Sequence, residues 1–371
     1  MIAFIPSFLR TPLAFVVVLG VLVFVHELGH YLAARWRGVF VETFSIGFGQ
    51  AIATWTDRLG TRWKLAWIPL GGYVKLHGQE RPQDASPEER SRWRVGQTFH
   101  EKTVLSRAII IAAGPLANFL LAAILFTALF AGQGRPVPAM TPVIGEVAAD
   151  SAASRAGLKP DDAIQSIDGE PTPRFADLQR IVAAHPAQQL TLLVRRGEQN
   201  LTLPVTTGVR TAGGKQIGLL GVSNKTIYEK LSLPAALWGG IAQTWSVTAQ
   251  TFGGVWQMLS GQRGTEELGG PLRIAQLSGQ VAQLGLASLI SFIAILSVNL
   301  GLINLFPIPV LDGGHLLFYL AEAVRGRPIP ARAQEYGFRA GLALLAALFV
   351  FATWNDLTHI GLFRWVAGLI G

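Results

Sequence analysis

The chain has 371 residues, half of them hydrophobic and only 15% charged, with a mean hydropathy of +0.38. Soluble domains carry roughly 25% charged residues, so the composition excludes an ordinary soluble protein and fits several membrane helices plus one small soluble domain. The net charge of +8 comes without a basic stripe interleaved with aromatics, which argues against nucleic-acid binding, and the lack of cysteine removes any disulfide framework, thiolate metal site or cysteine nucleophile.

A membrane helix needs about 20 mainly apolar residues, and the first candidate covers about residues 12–34. Inside it the stretch FVHELGHYLA carries His26, Glu27 and His30 as His-Glu-x-x-His. Positions four apart share a helix face, so His26 and His30 can hold one ion through neutral imidazole nitrogens. Glu27 can then reach a nearby water as general base. The plain alternative is two histidines and a buried neutral glutamate at a helix interface. That alternative weakens inside an apolar span, where each such group is costly unless paired or functional. A cleaved signal peptide is also disfavoured: Leu32-Ala33-Ala34 is a poor cleavage site, and a signal core does not carry this motif.

The second span is expected at about residues 104–130, so residues 1–140 form an N-terminal membrane half. Residues 141–207 read as a folded insert. Strand-like runs at 143–147, 163–167, 190–195 and 201–205 are separated by turn residues at Lys159-Pro160-Asp161, Asp168-Gly169 and Arg196-Gly197. Phe175, Leu178, Ile181 and Val182 recur at helical spacing. The run AGLKPDDAIQSIDGEP resembles the signature of bacterial PDZ domains, which bind an extended peptide by strand addition; a structural α+β domain is the alternative. Residues 208–283 read as linker and a peripheral amphipathic helix at 231–262. There Leu237, Ile241, Trp245, Thr248, Phe252, Val255, Trp256 and Leu259 fall at spacings of three and four. That helix is expected on the outer leaflet or packed on a neighbouring surface. Residues 284–371 form a C-terminal membrane half, with a third span at about 284–306 and a fourth, the shortest, at about 336–354.

Lys and Arg crowd the short loops, from Arg35 and Arg37 to Arg107 between spans one and two, and at Arg325, Arg327, Arg332 and Arg339 between spans three and four. The ends carry Arg10 and Arg364. The positive-inside rule places both loops in the cytoplasm and the insert outside.

A catalytic zinc has three protein ligands plus water. His77 and His100 fall in the cytoplasmic loop, and His185 and His359 on the outer side. The third ligand is expected from NLGLINLFPIPVLDGGH, where Pro307 and Pro309 break an apolar run just before Asp312. Broken backbone at membrane depth must be buried in protein or line a wet cavity. His26 lies about 14 residues, or roughly 21 Å, into span one, and spans one and three cross in the same direction. A segment that turns back after span three therefore brings Asp312 level with the two histidines. His315 is the alternative ligand.

Together HELGH, GP-LANF at 114–119, IGFGQ, IPLGGYVKL and N-x-x-P-x-P-x-L-D-G-G-H resemble the site-2 proteases over nearly the whole chain. The likeness is greatest to the bacterial sigma-E-protease group of intramembrane zinc metalloproteases. The resemblance implies a multi-pass α-helical membrane protein with about four transmembrane helices, a membrane-re-entrant β-hairpin and an inserted extracytoplasmic α+β PDZ domain. It implies Zn²⁺ held by His26, His30 and Asp312, with Glu27 activating water. It further implies that Asn304 binds the substrate backbone or oxyanion, a helix–helix hydrogen bond being the alternative. Residues 63–76 would form the hairpin, turning at Gly71-Gly72, with an edge able to pair with an unwound substrate. The implied substrates are single transmembrane segments in the bacterial inner membrane, such as anti-sigma factors or signal-peptide remnants, already cut outside by another protease. A metal-binding transporter, the rival class, would show internal repeats and ionisable groups in several spans, and neither occurs here. Members of the group often carry two tandem PDZ domains, whereas this sequence has one Ala-Gly-Leu-x-x-x-Asp-x-Ile run, at 156–164.

Overall fold

The computed structural model describes residues 6–79, 85–212, 215–262, 264 and 269–359; Arg364 lies outside them. Two compact units result, one of Met1–Phe130 with Leu233–Gly371 and the other of Ala131–Ser232.

The first unit opens with helix α1 (Ser7–Trp36), which the unbroken apolar run after Pro12 sustains for eight turns. Strands β1 (Val41–Thr56) and β2 (Arg62–Leu76) follow and pair antiparallel. Both strands bend, so that Val41–Ile46 lies between two parts of β2, one pairing Val41 to Leu76 and the other Thr43 to Arg62. The turn joining them is at Asp57–Thr61. The Asp57 carboxylate accepts from the Leu59 and Thr61 amides, each at 2.9 Å, and from the Trp63 indole at 2.9 Å. Burial alone would raise the Asp57 pKa, but these donors outweigh it and hold the carboxyl below its usual range. The expected turn at Gly71-Gly72 is therefore corrected. With the Tyr31 hydroxyl donating to Asp57 at 3.2 Å as a fourth donor, this Asx turn closes the hairpin, while Gly71, at φ +130°, marks a bend inside β2. Phe48, Ile52, Trp67 and Ile68, within the strands and away from the Asp57 turn, give this sheet an exposed apolar patch. After the short helix α2 (Pro87–Ser91), helix α3 (Val104–Gly132) forms the second span.

The second unit begins with β3 (Arg135–Pro138) and β4 (Ile144–Val147). Helix α4 (Ala152–Arg155), capped by the Ser151 side chain, leads to β5 (Ala163–Ile167) and β6 (Glu170–Pro171). Helix α5 (Phe175–Ala184) precedes β7 (Gln189–Arg196) and β8 (Gln199–Thr206), giving a four-stranded sheet in the order β6-β5-β7-β8. Phe175, Leu178, Ile181 and Val182 are buried in its core with Ile164, Leu190, Leu192 and Val205, the helix face that periodicity predicts. Inside, Asp162 accepts two bonds from Arg196 at 2.8 and 2.7 Å. Burial opposes ionisation of Asp162, but the guanidinium prevails and holds its pKa below the ordinary value.

The boundary at residue 207 is also corrected. Strands β9 (Gly208–Ala212) and β10 (Lys215–Leu219) form a hairpin, β11 (Val222–Asn224) pairs with β4, and β12 (Thr226–Glu229) pairs with β3. Leu220 is buried in the same core. Residues 208–232 thus complete the domain and are not linker. Strands this short, interrupted by Gly218 and Gly221, leave no alternating pattern to read.

Helix α6 (Leu233–Leu259) returns to the first unit. Its small face packs inward: a Cβ at Gly240 would meet Thr127 and Ala123 of α3. Thr251 donates to Asn299 at 2.9 Å. Leu237, Trp238, Ile241, Trp245, Phe252 and Trp256 point outward. The helix therefore packs on the bundle, the alternative to the outer leaflet, and leaves its opposite apolar face exposed. Helix α7 (Pro271–Gln283), helix α8 (Leu286–Asn304), helix α9 (Asp312–Arg325) and helix α10 (Ala331–His359) complete the unit. Among the described residues four helices are long and apolar enough to cross a membrane: Leu9–Trp36, Val104–Gly132, Leu286–Asn304 and Ala331–Thr358. The fourth is longer than the sequence suggests, because the charged start of α10 hides its first turns from hydropathy.

Candidate metal centre

Three side chains from two parts of the chain converge. His26 and His30 sit one turn apart on α1, and Asp312 opens α9. His26 Nε2 lies 3.1 Å and His30 Nε2 3.5 Å from Asp312 Oδ2, and the two Nε2 atoms are 3.3 Å apart. Ligands at about 2.0–2.1 Å in a tetrahedron would lie about 3.3 Å from one another, so this triangle has the size of one zinc face. Asp312 Oδ2 is buried without a hydrogen-bond partner, which is costly unless an ion completes it. Among the described residues this is the His/Cys/Asp/Glu group able to hold a metal. Glu27, itself buried, adjoins His26 on α1.

The imidazoles are set by partners on α3. His30 Nδ1 lies 2.9 Å from the Ile110 carbonyl, an acceptor only, so Nδ1 carries the proton and Nε2 keeps its lone pair. His26 Nδ1 lies 3.2 Å from the Asn118 side-chain amide, whose Oδ1 otherwise has no partner. Turning that amide by 180° places Oδ1 where it accepts the Nδ1 proton, which satisfies both groups and again frees Nε2. Ser297 of α8 donates to the Asn118 carbonyl at 2.8 Å, so Asn118 joins α1, α3 and α8. It is the residue that sequence reasoning missed: quoted within GP-LANF but given no role, although a lone amide in an apolar span is itself a signal.

Glycines allow the close approach. A Cβ at Gly29 would collide with the Ala113 carbonyl, and one at Gly114 with the His30 ring. After α8 ends, Pro307 and Pro309 forbid helix, and the chain folds back on the first turn of α9. A Cβ at Gly313 would meet the carbonyls of Leu305 and Phe306, and one at Gly314 that of Ile308. This turn-back is what carries Asp312 to the histidines. Gly72 in β2 lies against α1; a Cβ there would come within 3.0 Å of Glu27 Cγ and 2.7 Å of the Ser45 carbonyl. Gly72 therefore borders the site, though not as a hairpin tip. Gly71 faces the Phe48 ring. Asn304, the last residue of α8, donates to the Leu300 carbonyl at 3.0 Å, a bond within its own helix. The His315 ring lies tilted against those of Tyr319 and Phe338 and lines a cavity of about 770 Å³ with Arg107 and Glu322. It stands apart from the three converging side chains. His77 pairs with Glu42 at 2.7 Å, and His100 with the Gly78 carbonyl at 2.9 Å.

A two-histidine, one-carboxylate set beside a glutamate, within apolar spans, defines a membrane metallopeptidase. The model of Peptidase family M50 matches residues 14–348, and the chain belongs to this family, the site-2 proteases. It is 43% identical to a zinc metalloprotease, so named, of Agrobacterium fabrum, over 93% of this chain and 95% of that one. It is 37% identical to metalloprotease MmpA of Caulobacter vibrioides (98% and 99%), and 33% identical to the regulator of sigma-E protease RseP of Salmonella typhimurium (94% and 98%). Among solved structures it is similar to the PDZ domain of an SdrC-like protein of Listeria monocytogenes, at 16% identity and a TM-score of 0.21, covering 24% of this chain and 90% of that one. The protein is thus a zinc-dependent metalloendopeptidase with four apolar candidate spans among the described residues and an inserted domain of its own core.

Proposed function

We propose that this peptidase cuts single transmembrane segments within the bacterial inner membrane, near the cytoplasmic face, after another protease has trimmed them outside. Anti-sigma factors and signal-peptide remnants have the required form, and the relative named for sigma-E regulation supports the first of these. The observation that carries the reading is the convergence of His26, His30 and Asp312 beside Glu27 in a bundle of apolar helices.

In this reading His26, His30 and Asp312 hold the zinc. When bound, zinc supplies a Lewis acid that polarises water and a peptide carbonyl. Glu27 takes a proton from the attacking water and passes it to the amide nitrogen as the C–N bond breaks. The Nδ1 contacts to Ile110 and Asn118 keep both imidazoles aimed and neutral. A helical substrate shields its amides with its own hydrogen bonds, so it must unwind. Gly72, lying against Glu27 without a side chain, lets the edge of β2 receive an extended segment there. Asn304 can contact substrate once its amide leaves the Leu300 carbonyl. The basic residues of the short loops support a reading with the active site toward the cytoplasm and the inserted domain outside.

The test is cleavage of a model transmembrane substrate by purified protein, with Glu27→Gln as the variant. The amide cannot accept the proton, so Glu27→Gln should keep its zinc and lose cleavage. Full activity in that variant removes Glu27 from the mechanism.

A further inference from the structure

We propose that Gly341 of α10 is a positioning residue for the metal centre, holding the turn that presents Asp312; this rests on Asp312 being a zinc ligand. Val310, two residues before Asp312, has φ +103°. That is a conformation β-branched residues rarely adopt, and one that persists only where the surroundings enforce it. One side of the turn is enforced by α9, where Gly313 and Gly314 take the backbone of residues 305–309 against them. The other side is enforced by α10. At Gly341 a Cβ would overlap the Pro309 carbonyl oxygen, and at Gly337, one turn earlier, it would lie 3.5 Å from Pro309 Cγ.

α10 is otherwise sparsely packed. Leu342, Leu344, Leu348, Phe349 and Val350 are exposed, whereas Gly341 is buried. The far end of the helix is fastened separately. The buried Asp356 carboxylate accepts from the amides of Gly270 and Arg273, at 2.8 and 3.0 Å, at the start of α7. A helix pinned at that end and pressed on Pro309 at the other keeps Pro309 from moving outward. Without that contact Val310 relaxes toward negative φ, and the rotation carries Asp312 off the histidines.

Zinc affinity of the purified full chain in detergent, measured by competition with a zinc chelator, tests this apart from activity. Gly341→Val should weaken zinc binding by about tenfold or more, the usual cost of losing a support of a ligand. Ala343→Val, exposed on the same helix, should bind as wild type. Adding Val310→Gly to Gly341→Val should recover part of the loss, because glycine holds positive φ without strain. If Gly341→Val does not fold, Gly341→Ala carries the same expectation at smaller size. Wild-type zinc affinity in the folded Gly341 variant, or no recovery from Val310→Gly, overturns the proposal. If the wild type binds zinc no better than His26→Ala, the reading of the centre itself fails instead.

Discussion

With Nε2 of His26 and of His30 aimed at one point, each Nδ1 must carry its proton and find an acceptor. Ile110 supplies a backbone carbonyl, which no substitution removes, so Asn118 is the position where that support can be tested. Asn118→Leu should lower zinc affinity by roughly 10–100-fold while the helices still insert. Asn118→Asp, which keeps an acceptor facing Nδ1, should lose less. Equal affinity in Asn118→Leu and wild type would show that His26 needs no such support. At this scale the sequence was legible where chemistry is expensive. Histidines, glutamate and a Pro-preceded aspartate inside apolar runs have few other uses. Asn118 stayed silent because its meaning depends on which helix it faces, and hydropathy does not carry that.

Elements were legible to the extent that they repeat a period. The four spans, and α5 with its buried face, follow from apolar length and from spacings of three and four. The β1–β2 sheet did not, because both strands bend and each pairs with more than one segment. A Gly-Gly pair looks like a hairpin tip, yet the tip is the Asp57 turn, and Gly72 is spent on close contact with α1. That contact gives a prediction. Gly72→Val would push β2 away from Glu27 and the Ser45 carbonyl, leaving the three metal-facing side chains in place. It should cut kcat/KM by about a hundredfold, as a displacement near 1 Å at reacting groups does, with zinc content unchanged. A variant that cleaves normally would take the edge of β2 out of substrate handling.

Across the whole molecule the unit Ala131–Ser232 is an insertion with its own core and its own ion pair, Arg196 on the buried Asp162. Among the described residues it brings no histidine or carboxylate to the His26, His30 and Asp312 group. A role in admission of substrate, by excluding bulky outer domains, fits this independence better than a role in the chemistry. Replacing residues 131–232 by a short flexible linker should leave zinc content intact, keep cleavage of trimmed substrates and allow some cleavage of untrimmed ones. A zinc-loaded deletion variant that still rejects every untrimmed substrate would place the filter elsewhere, with α6 the next candidate. The account of the molecule as a whole turns on which residue completes its zinc site, and the most direct measurement is the zinc-to-protein ratio of the purified full chain. The wild type and His315→Ala should each hold about one zinc per chain, and Asp312→Ala far less. Retention in Asp312→Ala together with loss in His315→Ala would contradict it.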